Sequence, residues 1–159
     1  MYDRVLLPLD GSEIAEAVEP HTMALAKKFD SEVILMRVVT PVSKLLASMV
    51  PGRAAAGNTT PVGVEAAHAQ LESETRDAAQ YLSSVAQRFE AEGVAARTLA
   101  IEGEPAQTII ENAKDANVSV ICMSTSGRSR LGRLIFGSVA DEVLRKSHLP
   151  LLLIRPQQQ

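Results

Sequence analysis

The chain has 159 residues, 46% of them hydrophobic and 22% charged, with a net charge of −3, the size and balance of one globular domain rather than a disordered or fibrous chain. Two Tyr, three Phe and no Trp leave neither a basic field nor stacking platforms, so nucleic acid is not an expected partner. The single cysteine, Cys122, has no partner for a disulfide, no apolar run approaches the roughly 18–20 residues of a membrane helix, and the opening Met-Tyr-Asp-Arg leads straight into a strand-like run; a cytoplasmic location and no membrane partner are expected.

Val5, Leu6, Leu7, Pro8 and Leu9 form a short apolar run stopped by Asp10, Gly11 and Ser12, which reads as a buried first strand, a turn and a helix cap. Pro8 removes a ladder donor, so regular pairing should end near it. A first helix follows over residues 13–29, with Ile14, Ala17, Val18, Met23, Leu25 and Phe29 on its apolar stripe. Pro20 lies inside that helix and predicts a kink or break, since an interior proline costs about 3 kcal/mol. Residues 32–39 carry Val33, Ile34, Leu35, Met36, Val38 and Val39, the nearly continuous apolar character of a strand covered on both faces.

From residue 40 to 63 the texture changes, with Pro41, Pro51, Pro61, Gly52, Gly57 and Gly63 breaking any period. This stretch reads as a flexible insertion, a lid or a disordered loop, with a brief helical turn at Leu45, Leu46 and Met49. The second helix, residues 64–92, is the clearest element: Leu71, Thr75, Ala78, Leu82, Val85 and Phe89 recur at helical intervals. Gly93 ends it, and residues 94–101 alternate as the third strand. Gly103-Glu104-Pro105 opens a third helix, with proline in its first turn and Ala106, Ile109, Ile110 and Ala113 facing inward. Residues 118–123 form the fourth strand, with Cys122 an inert core residue. Ser138, Val139, Ala140 and Asp141 have the form of a capping box opening a fourth helix, whose last turn holds Arg145 and Lys146. Residues 149–154, bracketed by Pro150 and Pro156, form the fifth strand.

Strands alternating with helices predict an α/β fold: a single domain over residues 1–159, an open sheet of five parallel strands with helices on both faces. Site-like chemistry occurs at the ends of strands one and four. In such sheets ligands bind where strand order reverses, so the predicted order is 3-2-1-4-5. Strand five is then a hydrophobic edge, and pairing of residues 149–154 in a homodimer is the simplest way to cover it.

The connection over residues 124–138 is rich in small residues and arginine. Backbone N–H groups, hydroxyls and positive charge in a strand-to-helix connection suit an anion such as phosphate. It is not a P-loop: Gly127 and Gly132 have the spacing, but Arg133 and Leu134 stand where lysine and a hydroxyl residue are required. No GxGxxG, GxSxG or HExxH pattern occurs, and His21, His68 and His148 lack metal spacing. Nothing resembles a general base or a catalytic dyad.

Asp10 at the end of strand one, together with the spacing Ser124-x2-Gly127-x9-Gly137-Ser138, resembles the ATP-binding branch of the universal stress protein family. The family's loop pattern is glycine-x2-glycine-x9-glycine followed by serine or threonine. The likeness also covers residues 4–12, 33–39, 103–105 and 123–155. It implies the Rossmann-like fold of the adenine nucleotide alpha hydrolases. It further implies an adenine against the backbone near Val38, a ribose near Pro8 and Asp10, phosphates among Gly127, Gly137, Ser138 and Val139, and Met123 beside the nucleotide. Leu9, Ser124, Thr125, Arg128 and Ser129 complete the implied binding set, with Arg128 and Arg130 adding charge-assisted contacts. The implied cofactor is ATP with magnesium, for which Asp10 is the candidate ligand. Ser124 departs from the pattern, standing where its first glycine belongs: serine is unfavourable if that position needs positive φ or close approach, and otherwise supplies an extra donor. The implied function is a nucleotide-dependent regulatory module in stress response, with at most slow ATP hydrolysis and a protein partner the sequence does not name. A dimeric interaction scaffold independent of nucleotide, and a true nucleotide hydrolase or transferase, remain the alternatives.

Overall fold

The computed structural model describes residues 1–44, 61–125 and 137–156. Along these the elements are β1 (Arg4–Pro8), α1 (Glu13–Glu16), α2 (Glu19–Phe29), β2 (Glu32–Val39), α3 (Pro61–Ala91), β3 (Ala96–Glu102), α4 (Pro105–Asp115), β4 (Val120–Ser124), α5 (Ser138–Lys146) and β5 (Leu151–Ile154). The five strands form one sheet in the order β3-β2-β1-β4-β5. Every pairing is parallel, with Leu6 opposite Ile34 on one side and Ile121 on the other. The order predicted from the two site-like strand ends is the one observed.

Successive strand residues point to opposite faces, and the strand sequences sort the core into two layers. Val5, Leu7, Val33, Leu35, Val120 and Cys122 face α1, α2 and α3, where Val18, Ala26, Leu82, Val85 and Phe89 meet them. Leu6, Ile34, Met36, Ile121 and Met123 face α4 and α5, against Ala106, Ile109, Ala113, Ala140 and Val143. Burying each large side chain of this kind stabilises by about 1.5–3 kcal/mol relative to exposure. Both faces must be apolar because helices cover both, which is why the central strands read as nearly unbroken hydrophobic runs.

The first helix is split. A continuous helix would need the residue-20 amide to donate to the Glu16 carbonyl, and Pro20 has no N–H. The chain therefore ends α1 at Glu16 and restarts α2 at Glu19, which places Pro20 in a first turn where no donor is missed. The second predicted helix, expected over residues 64–92, spans Pro61–Ala91. The turn expected at Leu45, Leu46 and Met49 lies outside the described residues. α3 ends as its sequence predicts: Gly93 takes φ +78°, with the Val94 N–H on the Phe89 carbonyl at 2.9 Å. At α5 the expected capping box does not form. The Asp141 N–H bonds the Gly137 carbonyl at 2.9 Å, so Gly137 is the cap and Ser138 is already helical, with no side-chain cap bond. β5 begins at Leu151 because the Leu149 N–H turns to the Ser147 hydroxyl at 3.1 Å and Pro150 has none to give.

Two predictions follow from this packing. A Cβ on Gly103 would lie 2.2 Å from Thr108 Oγ1 and 3.3 Å from its Cβ, with Thr108 buried in the first turns of α4. Gly103→Ala should cost about 1–3 kcal/mol in denaturant unfolding, most of it recovered by adding Thr108→Ala. Cys122 is fully buried, and burial, with Thr22 acting the other way, pushes its thiol up to about 11. The thiol stays protonated below that pH, so a thiol reagent near pH 8 should label it only after unfolding; labelling of native protein within minutes contradicts this.

Candidate functional site

β1 ends at Pro8, although Leu9 still donates to the Met36 carbonyl at 2.8 Å. The chain then turns through Asp10, Gly11 and Ser12, with Gly11 at φ +83°, a conformation that favours glycine. Asp10 Oδ1 accepts from the Ser12 N–H at 2.9 Å and from the Ser12 hydroxyl at 2.6 Å. Ser12 Oγ in turn accepts from the Ala15 N–H at 3.1 Å and caps α1. One carboxylate oxygen thus holds the turn. The other has no partner among the described residues.

This turn forms one wall of a cavity of about 420 Å³ at the carboxyl ends of β1, β2 and β4, within the range of roughly 300–1,000 Å³ usual for small-molecule sites. Met36, Val38, Ile109 and Met123 give it an apolar surface, and Asp10, Ser12, Ser124 and Ser138 supply hydroxyls and one carboxylate. Gly137, Ser138, Val139 and Ala140, the start of α5, close the far side. The first-turn N–H groups of α5 have no acceptor within the helix, and its dipole is positive there. Pro105 brings the start of α4 to the same cavity. An apolar slot beside a helix N-terminus suits a ligand with a flat apolar part and an anionic end.

A wider concavity of about 780 Å³ lies at the opposite ends of the strands, with Asp3, Arg4, Lys27, Asp30 and Glu32 in its lining. Helices finish there: Asp30 caps α2, Gly93 follows α3 and Asn117 lies just past α4. Carbonyls and carboxylates dominate, and Arg4 and Lys27 are already paired with Glu32 and Glu92. That end is the wrong polarity for an anion.

Of the residues singled out in the sequence, Pro8, Leu9, Asp10, Val38, Met123, Ser124, Gly137, Ser138 and Val139 all border the one cavity. Thr125 does not. It is buried, and its N–H continues the sheet by donating to the Ile154 carbonyl at 2.9 Å. Gly127, Arg128, Ser129 and Arg130 lie outside the described residues. Ser124 is a β4 residue opposite Ile154 without positive φ, so this position does not need glycine for its backbone, and the residue borders the cavity. Ser12, Ile14, Ala15, Met36, Pro105 and Ile109 were not among the candidates. Met36 was accessible, being two residues before Val38 on the same strand face. Pro105 and Ile109 carry no local signal, because only the path of α4 over the sheet brings them there.

The sequence profile of the Universal stress protein family matches residues 1–155. Universal stress protein MJ0531 of Methanocaldococcus jannaschii is 30% identical over 155 residues, covering 98% of this chain and 83% of that protein. The solved structure of MJ0577, a universal stress protein of the same organism, superposes with a TM-score of 0.78 at 24% identity, covering 100% of this chain and 99% of that one. A universal stress protein from Archaeoglobus fulgidus, solved in complex with dAMP, shares the fold at a TM-score of 0.58 and 20% identity, covering 97% of this chain and 98% of that one.

Proposed function

This chain belongs to the universal stress protein family, and on that premise we propose that it binds ATP with magnesium in the cavity between β1 and β4 and acts as a nucleotide-dependent regulatory module in stress response. The observation that carries the reading is the meeting, in one cavity of nucleotide size, of Asp10 from β1 with the open N-terminus of α5. The fold shared with a relative solved with dAMP supports an adenine nucleotide as the ligand class.

Val38, with Met36 and Met123 around it, offers the apolar slot for the adenine. Pro8, Leu9 and Asp10 sit where the ribose belongs, the carboxylate accepting a hydroxyl hydrogen bond. The N–H groups of Ser138 and Val139 and the Ser138 hydroxyl take phosphate oxygens, and Gly137 leaves room for them. Among the described residues no three His, Cys, Asp or Glu side chains group to hold a metal. Magnesium would be carried in on the phosphates, with Asp10 as the candidate protein ligand. Asp10 is the one carboxylate bordering the cavity among the described residues and is committed to the turn. With this carboxylate already holding the turn, we expect hydrolysis to be at most slow.

The half-buried edge strand β5, paired on one side with β4, supports a homodimer in which this strand is covered.

Titration with a fluorescent ATP analogue and magnesium should saturate; no saturable binding at millimolar nucleotide ends this reading. Asp10→Asn should weaken affinity about tenfold to a hundredfold. Gly137 has φ −58° and ψ 154°, angles any residue adopts, so Gly137→Leu should abolish binding while leaving the thermal midpoint nearly unchanged. Light scattering at micromolar protein should return the dimer mass, and a monomer mass removes the β5 interface.

A further inference from the structure

Arg37 alternates along β2 with Met36 and Val38, which border the cavity, so its side chain leaves the opposite face of the sheet. It is half-buried and has no carboxylate partner among the described residues. A charged, partly desolvated side chain of this kind needs another source of stabilisation. Two neighbours provide it. The Arg37 guanidinium carbon lies 5.3 Å from the centroid of the Tyr81 ring, within cation–π range. The same group lies flat against the β1–α1 turn: a Cβ on Gly11 would meet Nη1 at 3.3 Å, Cζ at 3.6 Å and Nη2 at 3.7 Å.

Tyr81 is itself held. Its hydroxyl donates to Glu16 Oε1 at 2.8 Å, and burial together with Glu16 pushes the phenol above its ordinary value, so it remains a donor. Arg88, two turns further along the same face of α3, grips Glu19 through Nη2 at 2.8 and 2.9 Å and reaches Glu16 at 3.9 Å. These contacts anchor α1 and α2 to α3. The planar guanidinium of Arg37 is the piece that carries this rigidity to Gly11, and lysine has no such plane to lay against a backbone.

We propose that Arg37 is a positioning residue for the nucleotide site: wedged behind Gly11 and backed by Tyr81, it holds the turn in the conformation that presents Asp10 and Ser12 to the cavity. Glycine at φ +83° is otherwise the loosest point of that turn. Among the described residues its internal bonds join Asp10 to Ser12, and Ser12 ties the far end of the turn to α1 by accepting from the Ala15 and Glu16 N–H groups; none of these bonds holds Gly11 itself. A ligand meeting a turn already in place does not bear its ordering cost. The effect on affinity rests on the nucleotide reading above; the effect on the turn does not.

The experiment compares wild type with Arg37→Met, Arg37→Lys and Tyr81→Leu. Amide hydrogen exchange of the nucleotide-free protein is followed at Ser12 and Ala15, whose N–H groups are bonded within the turn and its cap, and ATP affinity is measured with magnesium. Arg37→Met should speed exchange at those two amides about tenfold and weaken ATP by a similar factor, while exchange of the β1 and β2 core amides stays as in wild type. Tyr81→Leu keeps the charge and removes its backing, so it should move both readouts the same way. Arg37→Lys should restore only part. Unchanged exchange at Ser12 and Ala15 in Arg37→Met overturns the proposal, as does a Tyr81→Leu protein with wild-type turn exchange. Faster turn exchange in a protein whose wild type binds no ATP upholds the brace and removes the nucleotide reading instead.

Discussion

The parallel pairing of β1 with β4, Val5 opposite Val120 and Leu6 opposite Ile121, is the constraint on which the rest of the molecule depends. Parallel neighbours cannot be joined by a hairpin, and each crossover must travel over a face of the sheet. From β1 the chain moves outward to β2 and β3 with α1, α2 and α3 on one face; from β3 it returns through α4 on the other and continues to β4 and β5. The two paths diverge above the carboxyl ends of β1 and β4, and among the described residues the space between them is the cavity. The cavity is a consequence of strand order. The residues at its rim are those the chain places just after these strands.

The same topology sorts electrostatics by end. Helices that follow strands begin at the carboxyl end of the sheet and finish at the amino end, so N–H groups of α4 and α5 collect at one opening and the carbonyls of α2, α3 and α4 at the other. Size alone would favour the amino-end concavity. Polarity decides against it, because its cations, Arg4 and Lys27, are already paired and its helix ends repel anions.

Rigidity is distributed unevenly between the two walls of the cavity. The β1–α1 turn is tied internally by Asp10 and Ser12 and backed by Arg37, Tyr81 and Glu16, a chain of contacts spanning sheet, α3 and α1. The α5 wall is a capped-by-backbone helix start with no side-chain bond at Gly137, and its i,i+4 pairs, Arg145 with Asp141 and Lys146 with Glu142, are exposed and contribute little. On the proposed reading, affinity for a nucleotide that bridges the walls depends on the first being fixed in advance.

Much of this was legible in the chain itself. Periodicity is a local property, so the strand runs, the α3 stripe, the Gly93 stop and the Pro20 break could be read from neighbours in sequence, and two chemically marked strand ends were enough to order the sheet. Turn chemistry and motif spacing mark Asp10, Gly137 and Ser138, while Val38 and Val139 came only from the family resemblance; all of them border the cavity. What only the tertiary structure decided are relations between distant residues: Pro105 and Ile109 entering the cavity, Thr125 turning into the β5 ladder, Gly137 rather than Ser138 ending as the cap, and Arg37 lying against Gly11. Those depend on how crossovers pass over a twisted sheet and on which backbone bond closes first. No short window of sequence carries that information, because the contacts exist only once the layers have packed.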